Sequence, residues 1–103
     1  MATVNGTFDE LIQKPKSVLI DFYADWCGPC KVMAPILKEV KTKLGDEVDI
    51  IKIDVDKNRE LAADYRIQSI PTLVLFFNGK EIWRHSGVVA ANSLAATIQN
   101  KKS

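Results

Sequence analysis

The only two cysteines of the 103-residue chain, Cys27 and Cys30, stand three positions apart in the stretch Trp26-Cys27-Gly28-Pro29-Cys30. Two thiols at this spacing can form and break a disulfide with each other, or they can supply two ligands of a zinc ion. They can also form a purely structural disulfide, although a loop this short constrains the unfolded chain little. The stretch therefore allows three kinds of chemistry: redox exchange, metal binding and cross-linking.

The rest of the chain favours redox exchange. There is no second cysteine pair, and the single histidine, His85, lies far along the sequence. A zinc ion held within one chain would lack its usual four ligands, so we expect no metal site. A metal shared between two subunits and a structural disulfide are the alternatives that remain.

The two cysteines are predicted to differ in role because a helix is predicted to begin at them. The free N–H groups and the dipole at a helix N-terminus stabilise a thiolate. Cys27, at the first turn, is therefore predicted to be the exposed nucleophile that attacks a target disulfide. Cys30, one turn later and nearer the core, is predicted to resolve the mixed disulfide. Gly28 leaves room for a substrate, and Pro29 restricts the loop between the sulfur atoms.

An acid, Asp21, interrupts the strand predicted for Val18 to Ala24, which is otherwise apolar on both faces. Two apolar faces indicate a central strand of a parallel sheet, where a carboxylate needs a partner or a raised pKa. Lys52, in the middle of a second two-faced strand, is the predicted partner. With a raised pKa, Asp21 could accept the proton of Cys30, directly or through a water. The alternative is an edge strand with Asp21 in solvent.

A second candidate site is the segment from Arg66 to Thr72, which contains Pro71. Proline lacks an N–H and fits only the start or the edge of a strand. An X-Pro bond can be cis, and a tight bend could place the backbone of Ile70 beside the dithiol. An ordinary trans proline in a loop is the alternative.

The remaining pattern alternates helices with strands, which predicts parallel pairing with right-handed crossovers and a terminal antiparallel hairpin. The function is expected at the end of the sheet where a strand meets the helix of the cysteines. The predicted elements are a helix after a capping box at Thr7 to Glu10, a helix from Cys27 kinked at Pro35 (or two separate helices), a strand at Val48 to Val55, a helix at Asn58 to Tyr65, strands at Leu73 to Phe77 and Lys80 to His85 around Asn78-Gly79, a helix capped by Asn92 or Ser93, and an edge strand at Thr3-Val4.

Composition limits the class of protein. The length predicts a single domain, 1–103, with a core sufficient to fold without cross-links. A net charge of +1 with no long basic block gives no basis for nucleic-acid binding, and no apolar run could span a bilayer. The N-terminal sequence has neither a basic segment nor an apolar one of the kind that directs secretion, so we expect a cytoplasmic protein.

These motifs together resemble the thioredoxin family, and the resemblance extends in order over essentially the whole chain. Trp-Cys-Gly-Pro-Cys with a downstream Ile-Pro-Thr is highly specific. The motifs that carry the resemblance are Val18-Leu-Ile-Asp-Phe-Tyr-Ala, Trp26-Cys27-Gly28-Pro29-Cys30-Lys31, Ala34-Pro35, Lys52-Ile-Asp-Val-Asp, Ile70-Pro71-Thr72-Leu, Phe77-Asn-Gly-Lys and Gly87.

The resemblance implies an α/β fold: a five-stranded mixed sheet, three parallel strands plus a C-terminal antiparallel hairpin, sandwiched by four helices. It implies a cis peptide before Pro71 and the roles given above for Cys27, Cys30, Asp21 and Lys52. It also implies an apolar substrate-binding surface around the dithiol, where an extended target pairs with the backbone of Ile70. The substrate-binding residues would be Trp26, Gly28, Pro29, Ile70, Pro71 and Gly87.

The function that follows from the resemblance is that of a protein-disulfide reductase, an enzyme that also serves as an electron carrier. The chain would need no bound cofactor, because its electrons would come from NADPH through a flavoprotein thioredoxin reductase. Gly-Pro between the cysteines is typical of reducing members, whereas oxidising relatives usually carry histidine before the second cysteine. The expected partners are that reductase and disulfide-containing client proteins, with no nucleic acid and no membrane, and we expect a monomer.

Two alternatives remain from the sequence. A thiol oxidase or disulfide isomerase would use the same fold, and a binding module would hold a partner at the same surface whatever its redox state. The chain also departs from the family pattern at three positions. Tyr23 stands where many members carry tryptophan, and Ser86 and Val88 flank Gly87.

Overall fold

The computed structural model describes residues 4–101, and the side chains of residues 8–101. Helices and strands alternate through the first two thirds of this range, and a hairpin and a helix complete it. The elements are α1 (Val4–Ile12), β1 (Ser17–Tyr23), α2 (Gly28–Leu44), a short 3-10 turn (Gly45–Glu47), β2 (Val48–Asp54), α3 (Arg59–Asp64), β3 (Thr72–Phe77), β4 (Lys80–Ser86) and α4 (Ala91–Asn100).

The sheet of the described residues has the order β2-β1-β3-β4, so β1 lies between two neighbours. Strands β1 and β2 are parallel, and β3 is antiparallel to both β1 and β4. The register places Asp21 directly opposite Lys52 on one side and Leu73 on the other. The central position predicted for the strand that carries Asp21 is therefore confirmed, and the edge-strand alternative is wrong.

The sheet is mixed, as expected, but the predicted five strands are four within residues 4–101. Of the proposed edge strand, Thr3 lies outside the described residues and Val4 belongs to α1. Of the three strands expected to be parallel, the structure describes two, β1 and β2, and the C-terminal hairpin of β3 and β4 is antiparallel as expected. The chain between β2 and β3, residues 55–71, leaves and re-enters the sheet at the same end, so β3 runs antiparallel to β1.

Two layers of helices cover the two faces of the sheet. On one face, α2 and α4 pack through Met33, Leu37 and Leu94 onto Leu19 and Leu75. The opposite face carries α1 and α3. Its cluster of buried residues comprises Phe8, Ile12, Val18, Ile20, Phe22, Ile53, Leu61, Val74 and Phe76. The alternation of side chains along β1 places Asp21 on the same face as Leu19, which is the face that α2 covers.

Helix α2 is one continuous helix with Pro35 inside it, so the alternative of two separate helices is wrong. Two other helix starts differ from the predictions. Helix α1 begins at Val4, before the capping box predicted at Thr7. Helix α4 begins after Ala90 and not at Asn92 or Ser93, and the side chain of Asn92 instead accepts a hydrogen bond from Lys43 of α2.

Candidate active site

Cys27 and Cys30 lie where the chain leaves the C-terminal end of β1 and enters α2. Cys27 is the N-cap of α2, with extended backbone angles, and Gly28 and Pro29 form the first two helical positions. The Sγ atom of Cys27 accepts a hydrogen bond of 3.1 Å from the backbone N–H of Cys30. The two cysteines are joined by a disulfide. The sequence is suited to this geometry because proline needs no helical partner for its nitrogen in the first turn.

The predicted difference in exposure between the cysteines is not present in this disulfide form. Cys27 is 3% exposed and Cys30 is 6% exposed, because both pack against Ala24, with Tyr23 and Ile70 around them. What does distinguish the two residues is their place in the helix. Cys27 is the N-cap residue, and its sulfur accepts the hydrogen bond from the N–H of Cys30. Cys30 lies in the first turn of the helix.

Trp26 stands beside the disulfide and is 71% exposed, an unusual position for a large apolar side chain. Its indole Nε1–H donates a hydrogen bond of 2.8 Å to Oδ2 of Asp56, which follows β2. Trp26 and Ile70 also line a cavity of about 360 Å³. An exposed indole fixed at one end by a carboxylate offers a flat apolar surface to a binding partner.

The segment before β3 meets the same surface. The Ile70–Pro71 peptide bond is cis, and the carbonyl of Pro71 accepts a hydrogen bond of 2.8 Å from the N–H of Gly87. Gly87 has φ +98°, a conformation that favours glycine. The hydroxyl of Thr72 donates to the carbonyl of Ser69 at 2.6 Å and lies 3.1 Å from the hydroxyl of Ser86. The Gly87–Pro71 bond and the Thr72–Ser86 contact join the segment before β3 to the segment after β4.

Asp21 is 1% exposed beneath α2, and no described residue hydrogen-bonds to either of its carboxylate oxygens. Burial raises the pKa of Asp21 from 3.8 to about 6, and the charge of Lys52 opposes part of this increase. Within residues 8–101, no ion pair joins the ammonium of Lys52 to this carboxylate. The structure thus brings Asp21 and Lys52 to adjacent strand positions without direct contact between their charges.

The side chain of Lys52 points instead to an aromatic ring. Its Nζ lies 4.5 Å from the centroid of the Tyr23 ring, within the range of a cation–π interaction. A cavity of about 130 Å³ is lined by both of these residues and by Cys30, Lys31 and Ala34. Lys52 therefore reaches the surroundings of Cys30 from β2.

The predicted substrate-binding residues lie around the disulfide. Gly28 and Pro29 are exposed, and a Cβ atom on Gly28 would meet nothing within 4 Å. Ile70 packs against the cysteines. Sequence reasoning missed the hydroxyl pair Thr72–Ser86 and the role of Asp56 in fixing Trp26. Asp56 closes the Lys52-Ile-Asp-Val-Asp motif, so its position after a strand was the available signal; the Thr72–Ser86 pair had none.

Among the described residues, no group of three or more histidine, cysteine, aspartate or glutamate side chains could hold a metal ion. Within the same range, no helix combines the length and the apolar character needed to cross a bilayer. The one redox-active group at the site is the disulfide formed by the protein's own cysteines.

Comparison with known proteins connects this geometry to one family. The family model described as thioredoxin matches residues 1–100. A chloroplastic thioredoxin Y of Oryza sativa is 48% identical over 96 residues, which cover 92% of this chain and 57% of that protein. A thioredoxin-like protein of Synechocystis sp. is 49% identical over 95 residues, covering 91% of this chain and 90% of its own. The chain thus spans little more than half the length of the rice relative.

A solved structure agrees with the fold. Mitochondrial thioredoxin 3 of Saccharomyces cerevisiae, in its oxidised form, superposes with a TM-score of 0.84 at 33% identity. The superposition covers 93% of this chain and 89% of the yeast chain. The mixed sheet between two layers of helices is therefore the thioredoxin fold.

The prediction of a cytoplasmic location is wrong in the light of these relatives. Besides the rice protein, two Arabidopsis thaliana relatives at 47% and 41% identity are named as chloroplastic thioredoxins. A further relative, from Mycobacterium leprae, is named a bifunctional thioredoxin reductase/thioredoxin and is 39% identical over 93 residues.

The Cys27–Cys30 pair at the start of α2, the match of the family model over residues 1–100 and the identity to thioredoxins agree with one another. A Cys-x-x-Cys pair in this setting can undergo dithiol–disulfide exchange. The chain belongs to the thioredoxin family.

Proposed function

We propose that this protein is a protein-disulfide reductase and electron carrier, and that residues 1–103 act as one domain. The observation that carries the proposal is the disulfide at the N-cap of α2, beside the Ile70–Pro71 bond and the exposed Trp26. After reduction, the N-cap position favours a thiolate at Cys27, since the N–H of Cys30 can donate to it.

The reaction transfers two electrons in two exchange steps. The Cys27 thiolate attacks one sulfur of a client disulfide, a mixed disulfide forms, and the first client thiolate leaves. The Cys30 thiolate then attacks the Cys27 sulfur, which breaks the mixed disulfide and releases the second client thiolate. The client ends as a dithiol and Cys27–Cys30 as a disulfide, so one bond has formed for each that has broken.

Asp21 is the proposed acceptor for the proton that Cys30 must lose before its attack. A carboxyl group with a pKa near 6 is mostly ionised at neutral pH and still basic enough to accept a proton. Lys52 is proposed to moderate this basicity through its charge. A water could carry the proton between Cys30 and Asp21.

An extended client segment is proposed to lie across the surface formed by Trp26, Gly28, Pro29, Ile70, Pro71 and Gly87. Pairing with the backbone of Ile70 would give affinity without a particular sequence. Ser86 and Val88, which flank Gly87, would adjust the preference for one client over another.

The proposed recycling partner is a thioredoxin reductase that delivers electrons from NADPH through a flavin. The Mycobacterium leprae relative, whose name joins both activities, supports this pairing. A monomer fits a role in which one exposed surface meets reductase and client in turn. The chloroplastic relatives support a plastid as the proposed location.

The test is reduction of a disulfide-linked fluorescent peptide by the reduced protein, with Cys27→Ser and Cys30→Ser as variants. We expect no reaction from Cys27→Ser, and a trapped mixed disulfide with Cys30→Ser that mass spectrometry detects. A mixed disulfide trapped on Cys30 of the Cys27→Ser variant would contradict the assignment of roles.

Reduction potential separates the reductase from an oxidase or isomerase of the same fold. Equilibration in redox buffers, followed by Trp26 fluorescence, should give a potential below that of the glutathione pool, roughly −240 mV. A value well above that pool would favour an oxidase. A wild-type protein that binds a client without reducing it, with binding that survives replacement of both cysteines by serine, would favour a binding module.

A further inference from the structure

Tyr23 ends β1 at the position where the family often carries tryptophan, and its ring lies next to the charged group that modulates Asp21. The Nζ of Lys52 is 4.5 Å from the ring centroid, and Lys52 is opposite Asp21 in the β1–β2 register. Both Tyr23 and Lys52 line the cavity that reaches Cys30. Tyr23 is thus in contact with Lys52, the residue that lies opposite the buried Asp21 in the sheet.

The position of the Lys52 ammonium is informative because the Asp21 carboxylate, on the adjacent strand, would be a stronger partner than the Tyr23 ring. A carboxylate without hydrogen-bond partners would attract an ammonium more strongly than an aromatic ring does. Nevertheless, among residues 8–101 the Asp21 oxygens have no hydrogen-bond donor, and Lys52 remains exposed.

Two other charged side chains, Asp25 and Lys31, line the cavity that Tyr23, Lys52 and Cys30 share. The register neighbour of Asp21 on β3, Leu73, is apolar. The buried residues of α4 on this face are Leu94, Ala95 and Ile98. The charge of Lys52 lowers the pKa of Asp21 against the larger effect of burial.

Tyr23 itself stays neutral in this setting. Desolvation, followed by the carboxylates of Asp54, Asp25 and Asp21, raises the pKa of the Tyr23 phenol. The attraction on Lys52 therefore comes from the ring face and not from a phenolate.

We propose that the Tyr23 ring is a positioning group that holds the Lys52 ammonium at the protein surface, short of an ion pair with Asp21, and thereby keeps the Asp21 carboxylate available as a proton acceptor for Cys30. The catalytic part of this inference rests on the proposed function. The positioning part concerns only the oxidised, resting protein.

The experiment is a titration of the Asp21 carboxyl carbon by NMR in the oxidised protein, with Tyr23→Leu, Tyr23→Phe and Lys52→Met as variants. Tyr23→Leu removes the ring and lets the ammonium approach Asp21, so the pKa of Asp21 should fall by roughly half a pKa unit. Tyr23→Phe is the matched control, because it keeps the ring and loses only the hydroxyl; it should leave this pKa unchanged.

A double-mutant cycle separates positioning from simple access of water. If Tyr23 acts through Lys52, Tyr23→Leu should have no effect on the Asp21 pKa in the Lys52→Met background. An equal decrease in that background would show that the ring only excludes solvent and would overturn the proposal. An equal effect of Tyr23→Phe and Tyr23→Leu would assign the role to the hydroxyl and would also overturn it.

Two further readouts keep the test independent of one variant and of the reductase activity. In the wild-type protein, the Lys52 Hε protons should be shifted upfield by the ring current; ordinary exposed-lysine shifts would contradict the contact. With a disulfide peptide, the pH profile of mixed-disulfide resolution should move with the Asp21 pKa in Tyr23→Leu. A moved pKa with an unmoved profile would leave the positioning intact and reject Asp21 as the acceptor.

Discussion

The charged form of Asp21, which the proposed chemistry uses, lowers the stability of the folded protein. Its pKa is about 6 in the folded protein, against 3.8 for an unperturbed carboxyl, because burial disfavours the charge. The folded protein therefore binds more protons than the unfolded chain between about pH 4 and pH 6. Stability falls as the pH rises through this window and stays lower above it.

Replacing Asp21 by asparagine should consequently stabilise the protein at pH 8. A difference of about two pKa units corresponds to about 3 kcal/mol, the largest gain that we expect. Urea unfolding at pH 4, 6 and 8 measures the effect, and the gain should disappear toward pH 4. Parallel pH curves for the wild type and Asp21→Asn would show that the carboxylate is not destabilising. The same variant should resolve mixed disulfides at least tenfold more slowly at neutral pH.

Asp56 acts on a different property, the order of the Trp26 side chain. Without the 2.8 Å bond to its Nε1–H, the exposed indole loses the contact that fixes its plane. Asp56→Ala should raise the KM for a protein client a few-fold, since the indole must then be ordered on binding. The rate with a small-molecule disulfide should stay unchanged, because that substrate does not need the surface. Fluorescence anisotropy of the indole should fall in Asp56→Ala; an unchanged value would contradict the argument.

At the scale of elements, the turn between β3 and β4 has the tightest steric requirement. Gly79 has φ +80°, and a Cβ atom there would lie 3.0 Å from the Gln13 side chain. The N–H groups of Asn78 and Gly79 also donate to Lys14 and Ile12 at the end of α1. The turn thus holds the hairpin against the first helix.

Gly79→Ala should lower the free energy of unfolding by about 1–2 kcal/mol, from backbone strain and the contact with Gln13. Gly28→Ala is a suitable control, because Gly28 has free space around its Cβ direction and should change stability by less than half as much. Chemical denaturation measures both. Equal losses in the two variants would mean that the turn geometry does not limit stability.

The elements also show what a sequence can and cannot predict here. Asp21 within a two-faced apolar strand was sufficient to predict its burial and its position opposite Lys52 in the sheet, although their charges do not form an ion pair. The number of strands was not predictable, because two residues, Thr3 and Val4, are too few to show a strand period, and Val4 instead belongs to α1. The contact between Lys52 and Tyr23 depends on a side-chain conformation that no sequence pattern encodes.

At the scale of the whole molecule, the redox state and the folding equilibrium must be linked. The couple Cys27–Cys30 has one potential in the folded protein and another in the unfolded chain. Reduction and unfolding together form a closed thermodynamic cycle. If the potential of the folded protein is lower than that of the unfolded chain, the disulfide form must therefore have the larger free energy of unfolding. The constant is about 1.4 kcal/mol for every 30 mV.

Pro29→His tests this linkage. An imidazolium beside the cap should stabilise the Cys27 thiolate, so the potential should rise and the stability advantage of the disulfide form should shrink in proportion. Pro29→Gln is the matched uncharged control and should move both quantities less. Potential and urea stability of both redox forms are the measurements. A change in one without the corresponding change in the other would show that the unfolded states also differ.

The sulfur of Cys27 is both the N-cap acceptor of α2 and part of the redox couple, so the redox state affects the stability of the helix. In the disulfide, the cap is a weak neutral acceptor for the N–H of Cys30; in the thiolate, it becomes a charged and stronger one. Each electron pair that enters the protein and leaves Cys27 as a thiolate therefore strengthens the hydrogen bond at the first turn of α2. The protection of the amides of that turn from hydrogen exchange should therefore report the redox state of the Cys27–Cys30 pair.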